Sequence, residues 1–517
     1  MRMSNWPDPP KPTPEYFMSG ALALAGFLIS CILLGFMAKK RSSSFELFLV
    51  GGRDIGPLIT GLALCATWMS GWASLGLMGI TYWFGWPGMW LAGVWTLLGL
   101  APAALITGPK MRIYSTKFGA ATVPDVIGIR FDSKLTQAMA AAAMIILLMV
   151  YSVGQYTAGA TAWYAITGYP WEFCMLLSAA VAFVYLAFGG YTGTQWTLAL
   201  QGLLLTIGCF ALGIASIAFA GGPEALNARL AAQAPELVGL VNPKLSGVPA
   251  AQFAADWIGV LATAIMFFTM AIGFPHNVAR FLGMRKFTKR DFAIMMAVIA
   301  IGGSVPWANL IVGLAARAHF GPRLAGIPGM PTGLGRDAAA PLLAMVIGGV
   351  PLSTLYLVAV FAASLSTLAA MVMVMAGNVT RDILGLYMSK ASKGTLLAIT
   401  RILIPIFALI PLYWAIVRPP PLLAYLMAGA AVGLGSIFFF VVAVSFYWKG
   451  ATKYGAMACI LYGMAMCALG GYYVYTINAW GWGYWQLATF LGCGALYFLV
   501  SLLTPKPPKE RLDKLFS

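Results

Sequence analysis

Residues 56–76 read GPLITGLALCATWMSGWASLG, a stretch that is long and apolar enough to cross a membrane. Its centre holds Thr67, Ser70 and Gly71, which form helices less readily than the leucines and alanines before them. Where a membrane helix unwinds, backbone carbonyl and amide groups lose their helical partners and become available to ions and polar ligands. The stretch therefore predicts a broken membrane helix that carries a binding site.

A second interrupted stretch lies at 258–283 and reads IGVLATAIMFFTMAIGFPHNVARFLG. Gly273 and Pro275 stand towards one end of it, and a proline disfavours helix in the residue before it. Interruptions at corresponding places in the two halves of a chain are typical of transporter sites. The alternative is that these Gly, Ser and Thr residues serve close helix packing, as they commonly do in membranes.

The composition of the whole chain excludes a soluble protein. Of 517 residues 61% are apolar and 9% are charged, whereas soluble domains carry about 25% charged residues. The mean hydropathy is +0.84. Apolar runs alternate with charged or Gly- and Pro-rich breaks, which predicts an all-α integral membrane protein with about 13 transmembrane helices. The runs are 16–37, 57–80, 86–108, 136–165, 171–189, 196–220, 255–279, 292–316, 351–377, 395–416, 421–446, 455–476 and 485–503.

An odd number of spans places the two ends of the chain on opposite faces of the membrane. We predict one transmembrane domain, 16–503, between a short outer segment and a short inner tail. The outer segment is 1–15, the core repeats lie at about 57–220 and 255–446, and the cytoplasmic tail is 504–517.

The net charge of +17 follows from this topology. With the C-terminus in the cytoplasm, 24 of the 32 Lys and Arg residues lie on the inner side, while the acidic residues divide almost evenly. Basic loops are retained on the cytoplasmic side of a membrane. We therefore expect a multi-pass protein of the cell (inner or plasma) membrane with its N-terminus outside. Its partner is then the lipid bilayer and not nucleic acid.

The apolar runs also limit the chemistry. No Asp or Glu stands near the middle of any run, and the seven cysteines lie in apolar runs without metal-type spacing. Buried carboxylates in membranes usually mark proton pathways, so a proton carrier built on one is disfavoured. An enzyme would need a titratable cluster at a membrane face, which the sequence does not show. A Na⁺ ion needs only oxygen ligands, and neutral carbonyls and hydroxyls supply them.

The ninth run offers such hydroxyls. It continues as AVFAASLSTLAAMVMVMAGNVTRD at 359–382, with Ser364, Ser366 and Thr367 within one helical turn. Adjacent hydroxyls and a nearby carbonyl can line a small oxygen cage.

Five motifs in this order resemble the sodium:solute symporter family. They are GGRDIGP at 51–57 leading to MSGW at 69–72, FGG at 188–190 with Gln201 downstream, GFPHNVARF at 273–281, and AASLSTLAA at 362–370 leading to NVTRDI. The similarity runs from about residue 45 to about residue 450. It implies an inverted five-helix repeat, the LeuT-like core, which imports a small organic solute together with Na⁺ by alternating access.

The resemblance also implies site residues. The Na⁺ ligands would be the carbonyls of Ala66, Met69 and Ala363 and the hydroxyls of Ser366 and Thr367. The substrate site would hold Thr67, Ser70, Gly71, Trp72, Tyr151, Phe267 and Thr269.

One departure from the family concerns Trp68. Proline-carrying members have an Asp at this position, so this departure disfavours proline as the solute and favours one Na⁺ per solute. A small monocarboxylate is the expected solute, since the runs at 337–349 and 273–281 look most like the acetate and pantothenate branches. The alternatives are an amino-acid (proline-like) symporter, or a transporter-like sensor acting through a separate partner. The oligomeric state does not follow from the sequence.

Overall fold

The computed structural model describes residues 6–91, 95–326, 334–388, 391–419 and 423–516. Within these ranges the regular structure is helical, apart from one β-bridge between Ile55 and Met284. The first helices are α1 (Pro14–Met37), α2 (Phe45–Val50), α3 (Pro57–Trp68), α4 (Leu77–Phe84), α5 (Thr96–Pro102), α6 (Gly108–Phe118), α7 (Val123–Phe131), α8 (Lys134–Thr167), α9 (Trp171–Phe219), α10 (Gly222–Gln233) and α11 (Gln252–Ala255). They are followed by α12 (Trp257–Gly273), α13 (Pro275–Val278), α14 (Lys289–Gly303), α15 (Val305–Phe320), α16 (Ala339–Gly377), α17 (Gly385–Tyr387), α18 (Lys393–Val417), α19 (Leu423–Phe438), α20 (Lys453–Tyr475), α21 (Trp482–Leu503) and α22 (Lys509–Phe516).

The prediction of an all-α membrane protein is confirmed. By length and composition the described residues contain 9 helices able to cross a membrane, or 11 when two sharply bent pairs are counted as spans. In the described ranges the thirteen apolar runs coincide mostly with helical segments, although fewer candidate spans are found than the thirteen predicted. Residues 1–5 of the predicted outer segment, 92–94 of the third run and 421–422 of the eleventh run lie outside the described residues.

Two of the longest helices bend at glycines. A straight helix of the 49 residues of α9 would be about 74 Å long, far more than the ~30 Å hydrocarbon core. The bend is at Gly190, whose φ of 52° favours glycine. There the chain passes close to the Phe48 ring, which would lie 2.9 Å from a Cβ at position 190. The bend lets α9 carry both the fifth and the sixth predicted runs. Gly349 (φ 55°) bends α16 in the same way.

Both predicted breaks are present. Helix α3 ends at Trp68, Met69 leaves the helical region with a ψ of 62°, and the chain resumes as a π-helix at Trp72–Gly76 that continues into α4. The two halves meet at an angle of 60°. The second break is at Phe274 (ψ 119°), between α12 and the short α13.

Helix α16 lies at the centre of the protein. Its most apolar 18-residue window is 94% buried, compared with 28% for α20, which faces outwards. Helix α16 packs against α8, α9 and the broken α3. This packing brings the hydroxyl-bearing turn of the ninth run against the first break.

Candidate functional site

The break after α3 leaves two carbonyls without helical partners. In an unbroken helix the amides of Ser70 and Gly71 would bond to the carbonyls of Ala66 and Thr67. Here the Ser70 amide donates to the Trp68 carbonyl at 2.9 Å, and the Gly71 amide donates to Oε1 of Gln155, also at 2.9 Å. The carbonyls of Ala66 and Thr67 are therefore free to accept from another element.

Hydroxyls of α16 bind these carbonyls. Ser366 Oγ lies 2.8 Å from the carbonyl oxygens of both Ala66 and Ala363, to either of which its one O–H can donate. Thr367 Oγ1 lies 3.1 Å from the carbonyls of Thr67 and Ala363 and 3.5 Å from that of Ala66. Both side chains are fully buried. Four of the five predicted Na⁺ ligands therefore meet in one neutral oxygen cluster, to which the Thr67 carbonyl adds a further oxygen.

Met69, the fifth predicted ligand, ends the same half-helix. Its amide donates to the Cys65 carbonyl at 2.7 Å, and its backbone turns the chain out of the helix. An oxygen cluster of this kind suits a hard monovalent cation, because neutral dipoles replace its hydration without a buried carboxylate.

Ser70, Gly71 and Trp72 of the predicted substrate site lie at and after the break. Ser70 Oγ lies 3.4 Å from the hydroxyl of Tyr151 and accepts from the Trp72 amide at 3.2 Å. Gly71 lies so close to α8 that an added Cβ would be 2.5 Å from the Cβ of Ala158. The structure therefore brings Ser70 to Tyr151 and Gly71 to α8.

Aromatic rings join the two broken helices. Trp72 packs against Phe267 with a centroid separation of 5.5 Å, and Trp68 contacts Phe267 at 6.2 Å and Phe274 at 6.4 Å. Phe274 in turn meets Tyr151 edge-on at 5.8 Å. We call these five residues the aromatic wall. Trp68 belongs to it and presents its ring to both Phe267 and Phe274.

Two predicted substrate residues have their hydroxyls engaged by their own helices. Thr269 Oγ1 donates to the Ile265 carbonyl at 2.8 Å and faces Gly435 of α19, where an added Cβ would lie 2.9 Å away. Thr67 Oγ1 donates to the Ala63 carbonyl at 2.7 Å. The contact between Thr67 and α16 is therefore made by the Thr67 carbonyl and not by its hydroxyl.

The predicted site residues leave out three residues beside the two breaks. Gln155 binds the Gly71 amide, Ser364 Oγ lies 3.0 Å from the position of a Cβ on Gly71, and Phe274 completes the aromatic wall. The sequence does contain an indication that Gln155 binds another group, because burying an amide side chain in an apolar run is costly unless it has a hydrogen-bond partner.

A buried cation was missed as well. Arg280 follows the second break and is 1% exposed, although the charge count places it among the basic residues of the inner loops. Its guanidinium donates to Gln195 Oε1 at 3.2 Å and to the His276 carbonyl at 3.1 Å, and it lies over the ring of Tyr191.

Polar contacts also tie α16 to α7 and α8 at the end where α16 continues into Asn378–Leu384. The buried carboxylate of Asp382 accepts from Thr122 at 2.8 Å and from Gln137 at 2.7 Å. Arg381 pairs with Asp125 at 3.0 Å. These contacts hold the three helices together at this end.

Two broken helices that meet beside a neutral oxygen cluster, within a LeuT-like bundle, define a secondary transporter. The chain belongs to the sodium:solute symporter family, which matches residues 48–463. It is therefore a Na⁺-coupled, multi-pass transporter of the plasma membrane that takes a small-molecule solute, and Na⁺ is the co-transported ion.

Two proteins similar in sequence to this chain are proline transporters. The sodium/proline symporter of Escherichia coli is 26% identical over 509 residues, which cover 95% of this chain and 94% of the relative. The osmoregulated proline transporter of Bacillus subtilis is 25% identical over 505 residues, covering 94% and 95%. A Na⁺-coupled sialic acid symporter, solved in a substrate-bound outward-open state, has the same fold, with a TM-score of 0.74 at 16% identity over 95% of this chain and 99% of that one. The two proline transporters do not support the expected monocarboxylate.

Proposed function

We propose that this protein imports proline, or a closely related compact amino acid, together with Na⁺. The relatives named above favour this solute over a small monocarboxylate. The observation that carries the proposal is the aromatic wall, since its apolar rings suit the pyrrolidine ring of proline. An acetate-sized anion would leave most of this surface unused.

A binding screen distinguishes the two solutes. We expect proline to raise the melting temperature of the purified protein when Na⁺ is present, because a ligand that binds only the folded state stabilises it. Replacing Na⁺ by choline should remove most of the shift. Acetate, propionate and pyruvate serve as the competing set. A Na⁺-dependent shift with one of these acids and none with proline would restore the monocarboxylate.

We assign Na⁺ to the carbonyls of Ala66, Met69 and Ala363 and the hydroxyls of Ser366 and Thr367. Each of the two hydroxyls lies within hydrogen-bonding distance of the carbonyls of Ala66 and Ala363, which supports the assignment. The indole of Trp68 has only an N–H donor and cannot ligate a cation through oxygen. We therefore expect one Na⁺ for each solute molecule.

The excess of basic residues on one side supports a cytoplasmic C-terminus. Lys509 lies in the exposed part of the tail, so Lys509→Cys introduces a thiol that reports which side the tail is on. In intact cells this cysteine should react with an impermeant maleimide only after the membrane is permeabilised. Labelling of intact cells from outside would show that the C-terminus faces outwards and would contradict the proposed orientation.

A further inference from the structure

Gln155 presents an unused hydrogen-bond donor at the first break. The Gly71 amide can only donate, so the side-chain atom that accepts from it must be the oxygen of Gln155. The other end of the amide group, Nε2, is therefore turned elsewhere. This nitrogen is buried without a hydrogen-bond partner among the described residues, and the residue is 1% exposed.

Ser364 presents a second unused polar group at the same place. Its Oγ is buried without a partner in the described part of the chain, although neighbouring Ser366 and Thr367 on the same helix are fully engaged. Ser364 Oγ and Gln155 Oε1 lie 3.0 Å and 3.2 Å from the same point, the position of a Cβ on Gly71. The two side chains therefore flank the start of the half-helix that continues into α4.

An unpaired buried polar group is costly, so these groups are expected to have a partner in the loaded protein. Nε2 of Gln155 can only donate, and a serine hydroxyl can donate. The beginning of a helix adds a partial positive charge. The Nε2 donor of Gln155 and the start of the half-helix therefore favour an acceptor group, such as a carboxylate, over an ammonium group.

We propose that Gln155 and Ser364 bind the carboxylate of the solute. We call these two residues the carboxylate clamp. The inference rests on the proposed function, because it takes the solute to be an amino acid. In this arrangement Gln155 has two roles: its oxygen holds the half-helix through Gly71, and its nitrogen donates to the solute. The carboxylate then lies close to the Na⁺ proposed at Ala66 and Ser366, and the cation offsets its charge.

The test compares proline with prolinol, in which an alcohol replaces the carboxylate. Both are measured as competitors of radiolabelled proline binding to the purified full-length protein in Na⁺. Gln155→Glu keeps the oxygen that accepts from Gly71 but replaces the donor by an acceptor. We expect it to lower the affinity for proline relative to prolinol by about 10- to 150-fold, the effect of losing a hydrogen bond to a charged group. Ser364→Ala should change the ratio in the same direction.

Matched controls separate this effect from misfolding. Gln486→Glu makes the same change at a glutamine of α21 whose side chain is buried without a partner among the described residues. Ser178→Ala removes a buried hydroxyl of α9 that donates to its own helix. Neither should alter the ratio. If Gln155→Glu does not fold, the same affinity ratio is measured with Gln155→Leu and Ser364→Ala instead.

The possible outcomes distinguish a failure of the carboxylate clamp from a failure of the proposed solute. An equal loss for proline and prolinol, or no loss, would overturn the carboxylate clamp. If the unmodified protein does not bind proline, the proposed solute is wrong, and the same variants are measured with propionate against propionamide. The clamp then predicts a loss for propionate alone, and an unchanged ratio overturns it.

Discussion

Replacing Ser366 and Thr367 by alanine is expected to raise the Na⁺ concentration needed for half-maximal transport. Each change removes one hydroxyl from a small, fully buried oxygen cluster. A buried polar contact left unmade costs ~1–3 kcal/mol, which corresponds to a roughly 5- to 150-fold change in affinity. The double variant should lose more than either single variant. The measurement is the initial rate of solute uptake as a function of Na⁺ concentration.

Thr489→Ala is the control for these variants. Its hydroxyl is buried in α21 and donates to its own helix at 2.8 Å, outside the predicted core repeats. Its Na⁺ dependence should match that of the unmodified protein. A well-folded double variant with the same Na⁺ dependence as the unmodified protein would remove Ser366 and Thr367 from the Na⁺ site.

Gly71→Ala should reduce transport by about tenfold or more. The new methyl carbon would lie 2.5 Å from the Cβ of Ala158, closer than real Cβ atoms approach. Overpacking in a close-packed region costs about 1–3 kcal/mol, and here it would separate the half-helix from Gln155. Uptake is measured at equal amounts of protein in the membrane, with the melting temperature as a check on folding.

A second substitution tests the cause of this loss. Ala158→Gly removes the facing methyl group, so the double variant Gly71→Ala with Ala158→Gly should recover part of the activity. Gly471→Ala in α20 is the control, because a Cβ at that position meets no atom of the described residues within 4 Å. Absence of any recovery in a folded double variant would show that Gly71 matters for a reason other than space beside Ala158.

The two breaks and the residues of the oxygen cluster could be predicted from the sequence. Gly273 and Pro275 interrupt a helix by local chemistry, and the unwound backbone after Trp68 coincides with residues of low helix propensity. The family motifs then joined Ala66 to Ser366 and Thr367, which are far apart in the chain. Composition alone could not have made that connection.

The remaining features depend on packing between distant helices. Thr269 is a polar residue in the right helix, yet its hydroxyl is turned to its own backbone and faces Gly435. Gln155 and Ser364 look like isolated polar residues until α8 and α16 bring them to Gly71. The charge count placed Arg280 in an inner loop, whereas the structure buries it between α9 and α13 after the second break. Side-chain direction and the burial of a loop end do not follow from periodicity.

The most direct test of coupled transport is proline uptake into proteoliposomes at a potential set by K⁺ and valinomycin. An inward Na⁺ gradient should drive proline above its equilibrium concentration. With one Na⁺ and a zwitterion, each cycle moves one positive charge, worth ~2.3 kcal/mol per 100 mV, so an inside-negative potential should increase accumulation. Accumulation that is equally strong with choline in place of Na⁺, or that follows a proton gradient alone, would contradict Na⁺-coupled import.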